Sequence, residues 1–277
     1  MSTPSNQDSI RLDKLMVELG LVSSREKAQA LISSGLVTVN GEKARSSDQR
    51  VRRGTKVIVK ESLPYVSRGG YKLAYALDRF QIDVKDKVAL DAGASTGGFT
   101  DVLLQRGAKK VYAVDVGYGQ LDVKLRNDPR VVNLERTNIR FLDSLPELVD
   151  IVTADLSFIS LVLVIPKLVS LSKEHADYLL LVKPQFEAGR HQVKKGVVKD
   201  PKVHNEVLHR IVESAKSEGL SLKGIVPSPI LGPAGNVEFI AWFNRLHELD
   251  STNIPMMIEA AISESEKIKT SKEHVSD

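Results

Sequence analysis

The sequence predicts an α/β protein: a Rossmann-like domain with a mostly parallel central sheet, preceded by a small α+β domain. Two observations support this fold class. The first 60 residues contain two helical patterns followed by short β-type runs, whereas strand-length apolar runs alternate with helical patterns beyond residue 65. Such alternation is typical of a parallel sheet covered by helices on both faces. A length of 277 residues is sufficient for two separate cores.

The small domain, residues 1–60, begins with two predicted helices. Apolar residues at helical spacing predict the first over residues 11–19, and a Ser-Ser pair predicts the start of the second, which covers residues 25–32. A β-run over residues 37–42 turns at an Asn-Gly pair, which is typical of a hairpin. A last β-run covers residues 56–59 and completes the predicted domain.

A predicted linker over residues 61–66 contains a proline and separates the small domain from a large one over residues 67–250. In the large domain, six apolar runs predict strands at residues 88–90, 110–114, 131–134, 151–154, 178–182 and 239–243. The tail, residues 251–277, is rich in Ser, Glu and Lys, and we predict a helix over residues 255–268. We expect no chemistry from the tail.

The positive charge of the chain is concentrated in the small domain. The chain has 39 Lys and Arg residues and 35 Asp and Glu residues. The first 60 residues contain 11 basic and 6 acidic residues, so the remaining 217 contain 28 and 29. A cationic surface of this kind suits a polyanion such as nucleic acid. An ordinary solvated surface is the alternative interpretation.

The composition excludes several classes of protein. The chain has no cysteine, which rules out disulfides, thiolate metal sites and a cysteine nucleophile. We therefore expect no metal cofactor. The amino terminus lacks the apolar stretch of a signal peptide, and the chain has no run of about 18 apolar residues. We expect a soluble, cytoplasmic protein without membrane association.

The strongest local motif is a glycine-rich turn over residues 90–101, between a predicted strand and a predicted helix. An open α/β sheet binds its cofactor at this position. Asp91 would repel phosphates but could bind a cationic amino group, and Asp115, at the end of the next strand, could bind ribose hydroxyls. The two acids together suggest S-adenosylmethionine. The alternative is a structural turn in which Asp91 caps the helix.

Four further charged residues occupy the ends of predicted elements. Asp155 and Lys183 each follow a strand, so both are predicted at the ligand-binding edge of the sheet. Lys72 is predicted at the start of a helix, where a cation is mildly unfavourable and so suggests a function. Glu238 shares a strand face with apolar residues, where a carboxylate needs a cationic partner. Solvated surface charges are the alternative for the first three residues.

The motifs of both domains resemble known families. Residues 11–59 resemble the RNA-binding module shared by a small-subunit ribosomal protein, pseudouridine synthases and tyrosyl-tRNA synthetases. The hallmarks are Leu15 and residues 23–28, 32–37 and 39–41. The rest of the chain resembles the FtsJ-like class of S-adenosylmethionine-dependent ribose methyltransferases.

The combination of the two domains is similar to the TlyA family. The matching motifs are SRGGYKL at residues 67–73, DAGASTGGF at residues 91–99 and GVVKD at residues 196–200. The resemblance implies 2′-O-methylation of ribosomal RNA, with that RNA or a ribosomal subunit as the partner. An older name of the family is haemolysin. The apolar runs of this chain have the length of strands, which argues against insertion into a membrane.

The resemblance implies a Lys-Asp-Lys-Glu catalytic tetrad at Lys72, Asp155, Lys183 and Glu238. Because an ordinary lysine is protonated at neutral pH, its use as a base requires desolvation or a nearby cation. We predict that Lys183 is the base or proton acceptor and that Lys72 is its electrostatic and positioning partner. Asp155 is predicted to orient the site and balance its charge, and Glu238 to hold Lys72.

Larger sets of residues are predicted to bind the cofactor and the RNA. The cofactor residues that the resemblance implies, with their neighbours, are Asp91, Gly93, Ala94, Ser95, Thr96, Gly97, Gly98, Phe99, Asp115, Val116, Asn138, Ile139 and Asp155. The predicted RNA-binding residues are basic: Arg11, Lys14, Arg25, Lys27, Lys43, Arg45, Arg68, Arg190, Lys194, Lys195 and Lys199. A methyltransferase acting on another RNA, a protein or a small molecule is one alternative, and a membrane-active haemolysin-like protein is the other.

Overall fold

The computed structural model describes residues 9–33, 35–59, 64–232, 234–245 and 253–273. The chain divides into two compact units, Met1–Arg68 and Gly69–Asp277. Residues 61–63 of the predicted linker, and residues 251–252 and 274–277 of the predicted tail, lie outside the described residues.

In its described residues, the small unit combines two helices with five short strands. Its elements are β1 (Ser9–Arg11), α1 (Leu12–Glu18), α2 (Arg25–Ser33), β2 (Val37–Val39), β3 (Glu42–Lys43), β4 (Arg50–Arg52) and β5 (Val57–Val59). Strand β1 pairs with β4, and β2 lies between β3 and β5, with every pairing antiparallel. The apolar faces of α1 and α2 pack into one core with Val37 and Val51.

The small unit differs from the sequence prediction at the start of its first helix and in two strands. Arg11 ends β1, so the first helix begins at Leu12 rather than at Arg11. Strands β1 and β4 were not predicted because each has three residues, which is too short for an alternating pattern to be recognised.

The large unit alternates strands and helices. Its elements are α3 (Gly69–Phe80), β6 (Val88–Ala92), α4 (Gly98–Gln105), β7 (Lys110–Val114), α5 (Val123–Arg126), β8 (Val131–Leu134), β9 (Val149–Ala154), α6 (Ile165–Ser170), β10 (Ser172–Val182), α7 (Pro184–Glu187), α8 (Pro201–Ser217), β11 (Ser221–Pro227), β12 (Phe239–Asn244) and α9 (Ile254–Glu273). Strand β11 was not predicted, because Gly224 and Pro227 interrupt its apolar pattern.

The strands of the large unit form one seven-stranded sheet in the order β11-β12-β10-β9-β6-β7-β8. Neighbouring strands from β10 to β8 are parallel, whereas β12 is antiparallel to both of its neighbours. All five residues of β6 are buried, as expected for a central strand with helices on both faces. The predicted α/β fold class is confirmed.

The direction of β12 determines what meets at the edge of the sheet. Ala154 pairs with Leu180 in the parallel register, and Val182 pairs with Phe239 in the antiparallel register. The residues that follow β9 and β10 and the residue that precedes β12 therefore lie at one edge. The glycine turn after β6 lies at this edge too, since β6 is parallel to β9.

A protein that crosses a membrane by a helix needs about 20 consecutive, mostly apolar helical residues. Within the described ranges, none of the helices combines the length and the apolar composition required to cross a membrane.

Candidate active site

Three charged residues stand in a row across neighbouring strands at the carboxyl edge of the sheet. Asp155 follows β9, Lys183 follows β10 and Glu238 immediately precedes β12. Glu238 was predicted as the opening part of the strand, but the strand begins one residue later, at Phe239. The three residues are distant in the sequence: Lys183 lies 28 positions after Asp155, and Glu238 lies 55 positions after Lys183.

Lys183 is held by the loop that follows β9. Its Nζ atom lies 2.5 Å from Oδ1 of Asp155 and donates a hydrogen bond of 2.9 Å to Oγ of Ser157. The Lys183 side chain is only 11% exposed. An ammonium group has three hydrogens, so two contacts of this kind leave one direction for a third partner. The sequence analysis did not identify Ser157.

Lys72 and Glu238 form a buried ion pair. The distance between Nζ of Lys72 and Oε2 of Glu238 is 2.6 Å, and the Glu238 side chain has no exposed surface. Lys72 is the cationic partner that the sequence predicts for Glu238. The helix begins three residues earlier than predicted, at Gly69, so Lys72 is the fourth residue of α3 and lies in its first turn. A solvated lysine is excluded, since Lys72 is 7% exposed.

Gln185 is a further neighbour of Glu238. It lies in α7, two residues after Lys183, and its Nε2 atom donates a long hydrogen bond of 3.5 Å to Oε1 of Glu238. Gly232 also approaches this carboxylate, because a Cβ atom at that position would stand 2.5 Å from Oε1. The Glu238 carboxylate is therefore enclosed by α3, α7 and the turn that precedes β12.

Two residues of α7, Phe186 and Glu187, fasten it to the loop after β9. Glu187 accepts hydrogen bonds from Oγ of Ser160 at 2.6 Å and from the backbone N–H of Leu161 at 2.8 Å. Burial raises the pKa of Glu187 above its usual range. The rings of Phe158 and Phe186 lie 4.9 Å apart. Phe158 is 90% exposed and has a φ of +63°, an unusual conformation for a bulky residue.

A cavity of about 460 Å³ opens beside this row, within the range of small-molecule sites. It is lined by Gly93, Ser95, Val114, Asp115, Val116, Gln120, Thr137, Asn138, Ile139, Asp155, Leu156, Ser157, Phe158 and Ile159. Seven of the predicted cofactor residues are among these. The remaining predicted residues, Asp91, Ala94, Thr96, Gly97, Gly98 and Phe99, do not line the cavity.

Asp115 is built into the cavity wall. Its Oδ2 atom accepts a hydrogen bond of 2.8 Å from the backbone N–H of Ser95, and Oδ1 accepts one of 2.7 Å from Gly117. Each carboxylate oxygen can accept a second hydrogen bond. Asp115 can therefore hold the glycine turn and still accept hydrogen bonds from a diol. The apolar side chains of Val116 and Ile139 also line this cavity, so its residues fit a nucleoside.

Asp91 is buried beneath the turn. It accepts hydrogen bonds from the hydroxyls of Thr100 at 2.7 Å and Thr153 at 3.1 Å, and burial raises its pKa to about 6. Thr100 lies in the first turn of α4, but the N-cap of that helix is Gly97, so Asp91 fastens the start of the helix through a hydroxyl and is not its capping residue. The carboxylate does not reach the cavity, and its direct contact with an amino group stays a prediction.

The predicted RNA-binding residues of the small unit include an organised pair. Arg11 and Arg25 both bind the fully buried Asp13, with N–O distances of 3.0 Å and 2.9 Å. Arg11 above all holds the pKa of Asp13 well below its usual range. The side chains of Arg11 and Arg25 are 37% and 45% exposed, so part of each guanidinium surface faces solvent.

The other predicted RNA-binding residues are mostly on the surface. Exposed positions are occupied by Lys14, Lys27, Lys43, Arg45, Arg190, Lys194, Lys195 and Lys199, and Arg68 is half-buried. No group of three or more His, Asp or Glu side chains in the described part of the chain is arranged to hold a metal ion.

Comparison with known proteins assigns both units. Residues 65–245 match the family model described as FtsJ-like methyltransferase, and residues 10–57 match the S4 domain. The chain is 50% identical over 235 residues to a Bacillus subtilis (strain 168) protein named "Putative rRNA methyltransferase YqxC", with 83% of this chain and 84% of that protein covered.

A second relative matches almost end to end. The Mycobacterium tuberculosis "16S/23S rRNA (cytidine-2'-O)-methyltransferase TlyA" is 45% identical over 261 residues, which cover 92% of this chain and 97% of that protein. Among solved structures, a "Putative hemolysin" from Streptococcus thermophilus has a TM-score of 0.74 and 42% identity, and covers 95% of this chain and 99% of its own.

Proposed function

Since the chain belongs to the TlyA family of FtsJ-like methyltransferases and carries an S4 domain, we propose that it methylates a ribose 2′-hydroxyl of ribosomal RNA, with S-adenosylmethionine as the methyl donor. The assignment of the acceptor to a cytidine follows the name of the Mycobacterium tuberculosis relative. The observation that carries the proposal is the pair of lysine–carboxylate contacts, Lys183–Asp155 and Lys72–Glu238, at the edge of the sheet.

These contacts support a reaction that deprotonates a hydroxyl. Methyl transfer to a ribose oxygen requires that oxygen to lose its proton while the reactants are held in line. Lys183 accepts the proton after it has given up one of its own, and Asp155 and Ser157 fix the direction of its Nζ atom. Lys72, fixed by Glu238, supplies positive charge that stabilises the developing oxyanion.

The cavity supports S-adenosylmethionine as the donor, which supplies an electrophilic methyl group when it is bound. Asp115 would accept hydrogen bonds from the ribose hydroxyls. Val116, Asn138 and Ile139 would contact the adenine, and Asp155 would lie toward the reacting end. Asp91 would help to shape the glycine turn, because it binds the hydroxyls of Thr100 and Thr153.

The cationic residues of both units support RNA as the acceptor. The Arg11–Asp13–Arg25 cluster presents two guanidinium groups in a fixed arrangement, which suits a phosphate group. The S4 match covers these residues. A haemolytic activity has no support of this kind, since the described helices include none that could span a membrane.

The proposal is tested by transfer of labelled methyl from S-adenosylmethionine to ribosomal subunits isolated from a strain that lacks the gene. We expect label in a ribose for the wild type, and none for Lys183→Ala, because the proton acceptor is missing. Cofactor binding by the variant should be close to that of the wild type. Lys109→Ala, at the opposite end of β7 from the cavity, is the matched control.

Two results would contradict the proposal. Label in a base or in a ribosomal protein would assign a different acceptor. Cofactor binding without transfer to either subunit or to free RNA would favour a methyltransferase with another substrate.

A further inference from the structure

A short hairpin presents lysines beside the candidate active site. Lys194 and Val197 exchange two backbone hydrogen bonds of 3.1 Å and 3.0 Å, which closes a two-residue turn at Lys195 and Gly196. These two residues have φ values of +52° and +79°, the geometry of a tight hairpin turn. We call Lys194–Lys199 the lysine hairpin.

The lysine hairpin carries charge that the described protein does not neutralise. Lys194, Lys195 and Lys199 are exposed, and none of them forms an ion pair within the described residues. Three unpaired ammonium groups on one short segment attract a phosphate backbone. The hairpin backbone is held by hydrogen bonds, so the points from which these side chains extend have a defined position.

Asn236 fastens the lysine hairpin to the rest of the domain. Its side chain is 2% exposed, and its Nδ2 atom donates a hydrogen bond of 2.8 Å to the carbonyl oxygen of Gly196. Its Oδ1 atom accepts a hydrogen bond of 2.9 Å from the backbone N–H of Val198. Both ends of the amide therefore bind the hairpin backbone.

The same residue belongs to the turn that encloses Glu238. The backbone carbonyl of Asn236 accepts a hydrogen bond of 2.9 Å from Gly232, the residue that closely approaches the Glu238 carboxylate. Glu238, which binds Lys72, follows two positions later. Asn236 thus joins the lysine hairpin to the turn that precedes β12. That turn leads to Glu238, the partner of Lys72.

We infer that Asn236 is a positioning residue that holds the lysine hairpin as a binding site for an RNA phosphate at a fixed distance from the Lys72–Glu238 pair. The inference rests on the proposed function. A phosphate bound by the hairpin sets the register of the RNA, so the target ribose meets the lysine pairs in one orientation. Asn236 itself touches neither the RNA nor the reacting atoms.

The test is a double-mutant cycle on methyl transfer, with kcat and KM for the RNA measured separately. Lys195→Asn removes the charge and keeps a residue that tolerates positive φ. We expect it to raise KM three- to tenfold and leave kcat unchanged. Asn236→Ala should raise KM at least as much, lower kcat several-fold and reduce the effect of Lys195→Asn to less than twofold. Asn127→Ala, an exposed asparagine after α5, is the control.

A purely structural role for Asn236 gives a different pattern. Asn236→Ala would then lower the melting temperature, while Lys195→Asn would raise KM by the same factor in both backgrounds; that result overturns the inference. If Asn236→Ala does not fold, Asn236→Asp repeats the cycle, because it keeps an acceptor for Val198 and lacks the donor to Gly196.

A measurement on the unmodified protein completes the test. RNA binding should slow hydrogen exchange of the Val198 amide at least tenfold, and an unchanged rate would contradict the inference. Wild-type protein that transfers no methyl group would instead contradict the proposed function. In that case the same cycle, measured as RNA affinity, still decides whether Asn236 and Lys195 are coupled.

Discussion

Lys183 depends on two neighbours that come from the same loop. Asp155 and Ser157 are two residues apart, and both contact its Nζ atom. Asp155 carries a charge, whereas Ser157 only accepts a hydrogen bond. A substitution of Ser157 therefore tests how much the orientation of Lys183 contributes to activity without changing the charge of the site. Glu187 and Phe186 support the same loop from α7.

Ser157→Ala should lower kcat about tenfold with little change in KM for the RNA, because Lys183 loses a directional contact worth roughly 1–2 kcal/mol. Single-turnover methyl transfer at saturating cofactor measures this. Ser170→Ala, which removes an exposed hydroxyl at the end of α6, should have no effect. An equal loss in both variants would mean that the Ser157 hydroxyl does not orient Lys183.

Asp91 should make stability depend on pH. Its pKa in the folded protein is about 6, above the ordinary aspartate value near 3.9. Between these pH values the folded state keeps a proton that the unfolded state has released, so the free energy of unfolding falls as the pH rises through 6. Relative to Asp91→Asn, the wild type should lose roughly 2–3 kcal/mol between pH 4 and pH 7.

Urea unfolding of the wild type and Asp91→Asn at several pH values checks this expectation. Subtracting the free energy of unfolding of Asp91→Asn from that of the wild type at each pH removes the contribution of all other titrating groups. A difference that is constant from pH 4 to pH 7 would show that the Asp91 carboxyl is not desolvated in solution.

That Asp155 and Lys183 meet at one edge of the sheet, and that Glu238 has a cationic partner, could be predicted from the sequence; the residues that support them could not. The catalytic roles of the four residues stay predictions. Lys72, Asp155, Lys183 and Glu238 lie in motifs that resemble a known family. Ser157, Gln185, Glu187 and Asn236 act through contacts between segments that are distant in the sequence, and a single sequence carries no signal of such contacts. Ser157 is the exception: it lies two residues after Asp155, which the sequence places at the ligand-binding edge of the sheet, and this spacing indicates the same edge for Ser157.

The glycine turn after β6 is the element with the least space for change. Gly93 has a φ of +83°, and a Cβ atom there would stand 2.5 Å from the backbone oxygen of Asp155. A backbone atom cannot move aside as the end of a flexible side chain can. The turn after β6 and the loop after β9 are therefore fixed against each other.

Gly93→Ala should weaken S-adenosylmethionine binding at least tenfold, because the turn must move away from Asp155 and out of the cavity wall. Isothermal titration calorimetry measures this. Gly219→Ala is the matched control: its φ is +77° but nothing lies within 4 Å of the added Cβ, so it has the strain of a left-handed residue without the clash. Similar cofactor affinity in the two variants would contradict the expectation.

At the scale of elements, the sequence predicted the long, regular segments best. Strands β7 and β8 have the predicted bounds, because both are continuous apolar runs. Strand β10 begins at Ser172, six residues before the predicted run, since its first part is polar and its place in the sheet comes from pairing with β9. Short or interrupted strands depend on tertiary pairing, which hydrophobic periodicity does not report.

For the whole molecule, the distribution of charge separates two tasks. The first 60 residues hold the excess of basic residues, whereas the rest of the chain is nearly neutral. The large unit contains the cavity and both lysine–carboxylate pairs. Mutations that change the charge of the small unit should therefore alter affinity for a polyanion without altering the cavity or the lysine–carboxylate pairs.

Lys43→Glu combined with Arg45→Glu should weaken binding to ribosomal RNA and reduce the slope of log K against log salt by about 1–2, because each lost phosphate contact contributes about 0.9. Cofactor affinity should not change. Binding assays between 50 and 200 mM salt measure this. Lys109→Glu and Lys216→Glu, two exposed positions of the large unit, give the same change in net charge. An equal effect in that control pair would mean that the small unit has no special role in binding RNA.

The position of β12 in the sheet has a consequence for how the enzyme is made. Strand β12 is the last strand in the described sequence, yet it lies between β10 and β11. Until it is synthesised, β11 has no partner in the sheet, and the turn that carries Asn236 and Glu238 has no strand to follow it. A nascent chain therefore cannot complete the sheet in the order of its segments: β11 joins the sheet, and Glu238 takes its place beside Lys72, only after residues 239–244 have left the ribosome and paired with β10.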